Sequence, residues 1–277
     1  MLEGMIIPSF AAWPTVDILA ATAFAGLFGG FVRGYSGFGF ALAAVPALAL
    51  VVPPALAIPA VLPIELAIGL ATFPAEINRV AWQPCARLIT GTVIGTPIGL
   101  AALASIPSGL MRVVVSVVVV LAVLVLWRRP QISGKMLGRG ALIGAGVFSG
   151  LLNGGTAMSG PPAIIALLAS NLTAASARAT LIVFIAFSAA LGIVLSAASG
   201  LLGPAAVGIT VLMIPTAALG GILGVWVFAR TAQSVYRHAC LTILLLVSLS
   251  AIGSVTFSFF YPSPPWPHHE HSDGRDE

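Results

Sequence analysis

The chain has 277 residues, of which 59% are hydrophobic and only 7% are charged. A soluble domain carries about 25% charged residues, so this composition excludes a soluble globular protein and indicates a membrane protein. The net charge of +4 comes from basic residues scattered through short loops, without the basic face that nucleic-acid binding requires. Because the apolar runs are continuous rather than short and alternating, they predict an all-α, polytopic membrane protein instead of a β-barrel.

Taken in chain order, each half is predicted to hold five helical segments. Those of the first half lie near 18–32, 40–52, 55–73, 88–104 and 108–127, and those of the second near 141–152, 161–169, 179–198, 205–228 and 239–260. The predicted organisation is an N-terminal segment (1–17), a transmembrane repeat (18–127), a basic connector (128–137), a second transmembrane repeat (138–260) and a polar, Pro-rich tail (261–277). The composition of the tail predicts disorder.

One glycine-rich stretch occurs twice, at an offset of 120 residues. The residues that recur are Ala25, Gly26, Phe28, Gly30 and Gly34, matched by Ala145, Gly146, Phe148, Gly150 and Gly154. An offset of 125 then relates Gly95, Gly99 and Arg112 to Gly220, Gly224 and Arg237. Gly- or Pro-interrupted apolar segments at matching places in two halves point to the binding site of a transporter.

The segments beside these glycines are short. Those at 141–152 and 161–169 would each reach about half of a roughly 30 Å bilayer core. We therefore expect each half to contain a helix–break–helix hairpin whose break lies near the midplane, where protein or a water-filled cavity must satisfy the backbone. Tilted full spans are the alternative.

The basic residues also predict a topology. If the third, fourth and fifth segments of each half cross once, nine basic residues fall on one face: Arg79, Arg87, Arg128, Arg129, Lys135, Arg139, Arg178, Arg230 and Arg237. The positive-inside rule makes this face cytoplasmic and both termini external. Each half then has an odd number of crossings, so the two repeats have inverted topology.

Helices that begin inside a membrane protein direct unpaired N–H groups and a partial positive charge into the break, which suits an anion. The candidate binding residues are Gly34, Ser36, Gly37 and Gly39 in the first hairpin and Asn153, Gly154, Gly155, Thr156 and Ser159 in the second. Two such breaks, related by an inverted repeat, would face each other. The alternative is that these small residues only allow helices to pack closely.

Two charged residues are singled out by their position. Arg33 directly precedes the first break, and its guanidinium would suit an oxyanion; the alternative is a side chain that reaches the membrane interface. Glu65 lies well inside a predicted span and is a candidate proton-coupling carboxylate. Its alternative is a structural pairing, for example with Arg33.

Other chemistry is not predicted. Cys85 and Cys240 are too isolated to suggest a disulfide or a metal site, and the tail histidines are expected to be solvated. No nucleotide or cofactor motif is present, so no cofactor is expected. The run Gly34-Tyr35-Ser36-Gly37 is similar to the nucleophile region of rhomboid-type proteases, but His238 is predicted near the cytoplasmic surface, which argues against an enzyme.

The duplicated motif resembles the TauE/SafE family of membrane transporters. Gly26, Gly30 and Gly34 carry the resemblance in the first half, and Gly146, Gly150 and Gly154, with Pro161 and Pro162, carry it in the second. It implies a bacterial inner-membrane transporter, often an exporter, of small sulfur-containing anions such as sulfite, sulfonates or sulfoacetate, coupled to a proton or ion gradient. Tyr35, Phe38 and the run 154–160 depart from the more glycine-rich breaks of the family.

The sequence therefore predicts a secondary transporter with a small anionic substrate, embedded in the lipid bilayer and able to form homo-oligomers. An anion channel that uses the same helix ends is the main alternative. An intramembrane hydrolase or a scaffold is less well supported.

Overall fold

A computed structural model describes residues 16–128, 138–170, 172–228 and 230, and they form nine α-helices with no strand in this part of the chain. The first half contains α1 (Val16–Ser36), α2 (Phe40–Ala49), α3 (Pro54–Glu76), α4 (Trp82–Ser105) and α5 (Ser108–Arg128). The second contains α6 (Arg139–Thr156), α7 (Gly160–Leu168), α8 (Ala174–Ala198) and α9 (Pro204–Phe228).

Some predicted features lie outside the described residues. They are residues 1–15, the connector from 129, the helix predicted at 239–260, Arg237, His238, Cys240 and the tail.

Five of the helices, α1, α3, α4, α8 and α9, are long and apolar enough to cross a membrane. Helix α4 exposes Ile94 and Ile98, and α9 exposes Leu219 and Leu223 at the repeat-related positions. Exposure of these apolar side chains to water would be unfavourable, whereas contact with lipid is favourable. The chain is therefore an all-α, multi-pass membrane protein, as predicted.

Contacts between helix ends fix the helix directions. The backbone N–H of Ala81, at the start of α4, donates to Thr180 Oγ1 of α8 at 2.9 Å, so both helices start at the same face. Helices α3 and α9 end there. We call it the arginine face, since these helix ends carry Arg79, Arg87, Arg139, Arg178 and Arg230. Because α1 runs towards this face and α6 runs away from it, the two repeats are inverted.

The first helix of each half packs along the fourth helix of the other half. In the α1–α9 seam, glycines lie against the opposing helix in the pairs Gly26–Met213, Gly30–Ala217 and Gly34–Gly221. In the α4–α6 seam, the pairs are Gly146–Leu88, Gly150–Thr92 and Gly154–Thr96. The offsets of 120 and 125 convert one set into the other, so the two seams are copies of one interface. A β-carbon at any of these six glycines would collide with the opposing backbone.

The helix breaks begin later than the sequence predicts. Helix α1 continues through Gly34 to Ser36, and α6 continues through Gly154 to Thr156, so the breaks are residues 37–39 and 157–159. The expectation that 141–152 forms a half-length helix is wrong, because α6 has 18 residues and is about 27 Å long. Its glycines cost about 1 kcal/mol each in helix propensity, and packing in the seam outweighs this cost. Only α2 and α7 are short.

The seams predict a stability difference between two glycines in similar helices. A β-carbon at Gly30 would meet the carbonyl of Ala217, whereas Gly144 in α6 has nothing within 4 Å. We expect Gly30→Ala to lower the melting temperature in detergent by at least about 2 °C, since overpacking costs about 1–3 kcal/mol and 1 kcal/mol corresponds to about 2–4 °C at this size. Gly144→Ala should leave it unchanged or higher. Equal melting temperatures for both variants would contradict the seam.

Candidate functional site

The two helix breaks meet inside the protein. They enclose what we call the inter-break cavity, about 10 Å³ in volume, which has room for about one water molecule. Its lining is Phe38, Gly39, Ala41, Leu42, Glu65, Ala157, Met158, Ser159, Gly160, Pro161 and Ile185. Because Glu65 and Ile185 lie near the middle of α3 and α8, the breaks meet at mid-depth.

Each break adopts a left-handed backbone at the same repeat position. Gly37 has a φ of 79°, and its equivalent Ala157 has a φ of 59°. Glycine takes this conformation easily, whereas it costs other residues about 1–2 kcal/mol. A β-carbon at Gly37 would also lie 3.0 Å from Nε of Arg178. Glycine at this position therefore turns the chain and leaves room for an arginine of α8.

A carboxylate caps the helix that follows the first break. The N–H of Ala41, in the first turn of α2, donates to Glu65 Oε1 at 3.3 Å, and Glu65 is only 5% exposed. The start of a helix favours a negative charge because of its unpaired N–H groups. The second break has neither partner, since Pro161 lacks an N–H and Ile185 lacks a carboxylate.

Glu65 is not locked to Arg33. Among the described residues the one ion pair within 4.0 Å is Arg79–Glu76, at 3.6 Å near the arginine face. The charge of Arg33 does act on Glu65 over a longer distance. Arg33 is therefore not the hydrogen-bonding partner of Glu65 in this structure; the partner is the backbone N–H of Ala41 in α2, which is a structural contact of another kind.

Arg33 is buried with part of its hydrogen-bonding capacity unused. The residue is 5% exposed, and neither Nη1 nor Nη2 has a hydrogen-bond partner. A buried cation without a partner is costly, and such groups in membrane proteins mark functional sites. The sequence analysis gave an arginine that reaches the membrane interface as the alternative, and the burial of Arg33 does not agree with it.

Arg33 lines a large cavity that we call the arginine vestibule, about 1160 Å³ in volume. Helices α1, α3, α8 and α9 form its walls, which are mainly apolar. Its polar lining consists of Arg33, Thr72, Arg178, Thr210 and Arg230. No acidic side chain lines the vestibule in the described ranges, so its field is positive.

Two further arginines lie between Arg33 and the arginine face. The guanidinium of Arg178 packs over Gly37 at the first break, and its charge acts on Arg33. Arg230 stacks on Trp226, with its Cζ 4.0 Å from the ring centroid. The guanidinium groups of Arg33, Arg178 and Arg230 carry like charges and repel one another. An anion bound among them would therefore be stabilised.

The structure brings some of the predicted site residues together. Arg33, Gly34 and Gly37 line the arginine vestibule, whereas Gly39, Ser159 and Glu65 line the inter-break cavity. The hydroxyl of Ser159 is buried without a partner. The side chain of Ser36 lies outside the described part of the structure.

Other predicted residues face elsewhere. Asn153 Nδ2 donates to the carbonyl of Ser188 at 2.8 Å, and Thr156 Oγ1 donates to the carbonyl of Leu152 at 2.7 Å. Gly154 lies in the α4–α6 seam, and Gly155 is nearest to Gly99. None of these four lines either cavity.

Arg178, Arg230 and Trp226 were missed as candidate site residues. The sequence analysis used both arginines only to assign topology. One signal was available for Arg178, because a cation close to the start of a helix opposes the helix dipole and needs a reason to be there. A third cavity, about 400 Å³ between α5, α6 and α7, has only apolar side chains in its lining and offers nothing to an anion.

Comparison with known families gives a match to the sulfite exporter TauE/SafE family over residues 22–251. Comparison with curated proteins and with solved structures gives no match. The matched region contains both hairpins, both seams and every residue that lines the two cavities. Since it covers most of the chain, the chain belongs to the sulfite exporter TauE/SafE family.

Proposed function

We propose that this protein is a secondary transporter that exports small sulfur-containing anions, of the sulfite, sulfonate or sulfoacetate type, and uses an ion gradient to do so. The observation that carries the proposal is the pair of unpartnered terminal nitrogens of Arg33, Nη1 and Nη2, in the lining of a positively charged vestibule. Two free N–H edges of a guanidinium match two oxygens of a sulfite or sulfonate group. Membership of the family supports the same class of substrate.

The direction that we propose, export, is supported by the exporter family to which the chain belongs and by the lining of the vestibule, which includes Arg230 at the arginine face. The arginine face carries the described basic helix ends, so the positive-inside rule makes it cytoplasmic. An anion from the cytoplasm would be attracted by Arg178 and Arg230 and would then bind to Arg33. We also propose that the protein lies in a bacterial inner membrane, with both termini outside.

Glu65 is the proposed proton carrier. Its side chain lines the inter-break cavity, and the charge of Arg33 acts on it. Protonation would remove its charge and weaken its bond to the N–H of Ala41, which holds the start of α2. Binding of an anion at Arg33 and protonation of Glu65 would thus act on the same hairpin, which is the basis for coupling.

A transporter fits the breaks better than an open channel does. The inter-break cavity has a volume of only about 10 Å³, which is too small to pass a sulfite ion. An anion of this size can pass between the breaks only if the hairpins move. Rocking of one half against the other would provide this movement.

The first test is flux in proteoliposomes. Labelled sulfite and small sulfonates should be transported by the purified protein with saturable kinetics, and an imposed pH gradient should accelerate transport. Flux that ignores the gradient would instead support a channel. If neither sulfite nor any sulfonate is transported, the substrate assignment is wrong.

Arg33→Ala should lower transport without lowering stability. Hydrogen bonds to a charged group contribute about 1.5–3 kcal/mol, so the concentration for half-maximal transport should rise at least about tenfold. Removal of an unpaired buried charge should leave the melting temperature unchanged or raise it. Arg33→Lys should give an intermediate effect, because it keeps the charge and loses the planar fork. The control is Arg79→Ala, whose arginine is exposed; equal effects of both substitutions would contradict the role of Arg33.

Glu65→Gln should separate anion movement from the gradient. Glutamine has the same shape and can still accept from Ala41, but it cannot carry a proton. Exchange of labelled for unlabelled anion should continue, while acceleration by a pH gradient should be lost. Glu76→Gln, near the arginine face, should retain the acceleration. A Glu65→Gln variant that still responds fully to the gradient would exclude this residue as the carrier.

A further inference from the structure

The inverted repeat gives the arginine vestibule an equivalent place in the other half. The offset of 120 converts Gly30, Arg33 and Gly34 of α1 into Gly150, Asn153 and Gly154 of α6. The offset of 125 converts Ala217 and Gly221 of α9 into Thr92 and Thr96 of α4. For α3, Ile68 and Thr72 become Ser188 and Gly192 of α8. Because the repeats are inverted, this second place lies between the second break and the face opposite the arginine face.

This equivalent place is closed in the structure. Thr92, Thr96, Asn153 and Ser188 are each 0% exposed. Asn153 contacts both Ser188 and Gly192, with Nδ2 at 3.2 Å from the β-carbon position of Gly192. One vestibule is therefore open, and its repeat-related copy is packed shut.

The closed copy has too many unsatisfied polar atoms for a packed core. Thr96 Oγ1 and Asn153 Oδ1, at the positions equivalent to Gly221 and Arg33, are fully buried and have no hydrogen-bond partner, and Ser159 Oγ at the second break adds a third such atom. Burial of an unsatisfied polar group costs about 1–3 kcal/mol in proteins, and most buried polar groups have a partner. Apolar residues would fill the same space at a lower free-energy cost. The polar side chains therefore indicate a second state of the protein in which water reaches them.

We infer that Thr96, Asn153 and Ser159 line a second vestibule, which opens to the face opposite the arginine face when the arginine vestibule closes. This inference rests on the proposed transport function. The hydroxyl groups of Thr96 and Ser159 can donate hydrogen bonds to an anion, whereas Asn153 Oδ1 can only accept, for example from water. They carry no charge, so the anion is held less tightly there than at Arg33. The substitution of Asn153 for arginine at the repeat-related position makes this vestibule a release path.

The test measures from which face a cysteine becomes accessible. Thr96→Cys and its repeat-related control Gly221→Cys are compared in a Cys85→Ala, Cys240→Ala background. Gly221 has room for a β-carbon, since its nearest neighbour would be the carbonyl oxygen of Gly30 at 3.9 Å. Each variant is reconstituted in oriented proteoliposomes with sulfite present, and a membrane-impermeant maleimide is added to one face at a time. Sulfite flux is measured in the same vesicles.

Gly221→Cys should be labelled from the arginine face, and Thr96→Cys should be labelled from the opposite face. Thr96→Cys should react about 10- to 1,000-fold more slowly than Gly221→Cys, because a minor state is populated to about 0.1–10%. Ser159→Cys, which exchanges one oxygen for sulfur, should behave as Thr96→Cys does and guards against misfolding of one variant.

Two results would overturn the inference. In one, Thr96→Cys and Ser159→Cys stay unlabelled from both faces although they react fully after denaturation, which would mean that trapped water satisfies these atoms. In the other, both are labelled only from the arginine face. The flux measurement separates the two proposals: flux without labelling removes the second vestibule alone, whereas labelling without flux keeps the second vestibule and removes the proposed function.

Discussion

The close approach of two helix pairs is the constraint on which the rest of this structure depends. Each seam joins the first helix of one half to the fourth helix of the other, and its glycines let the two backbones touch. In a membrane, where lipid is as apolar as leucine, such packing replaces the hydrophobic effect as the force that joins helices. The seams hold α1 and α6 along their full length, including the turns just before the breaks. As a result the two breaks meet at mid-depth, between the middles of α3 and α8.

On this symmetric frame the chemistry is one-sided. Arg33 has Asn153 as its counterpart, Glu65 has Ile185, and Ala41 has Pro161. The carboxylate and the N–H that it accepts from are thus absent together from the second half, which is what a matched pair requires. At these positions the first half carries both charges, and the second half carries only neutral side chains. The duplication supplies the two breaks, and the differences between its copies determine which of them can hold an anion.

Composition, the duplicated glycines and the distribution of the basic residues were sufficient to predict the all-α membrane fold, the hairpins, the inversion and the family. The position of the breaks was not predictable, because the helix propensity of Gly34 and Gly154 is low and only the seam, a contact between distant parts of the chain, keeps them helical. Arg178 was missed for a related reason: its distance from Gly37 depends on how α8 packs against the first hairpin. Arg33 and Glu65 could be identified because an ionisable residue within a long apolar run is rare. The distance between Arg33 and Glu65 could not be predicted, since no pattern in the sequence encodes a distance between side chains.

The crossed seams also bear on how the chain is made. The α4–α6 seam joins two helices that are separated in sequence by α5 alone, so it can form soon after α6 enters the membrane. The α1–α9 seam joins Gly26 to Met213, and at ribosomal rates of about 5–20 residues per second α1 waits roughly 10–40 s for α9. During that interval its glycine stripe faces lipid or any other helix that offers small residues. A chain that stops between α5 and α9 would keep this stripe uncovered, which makes the nascent first half the form most exposed to mispairing and to membrane quality control.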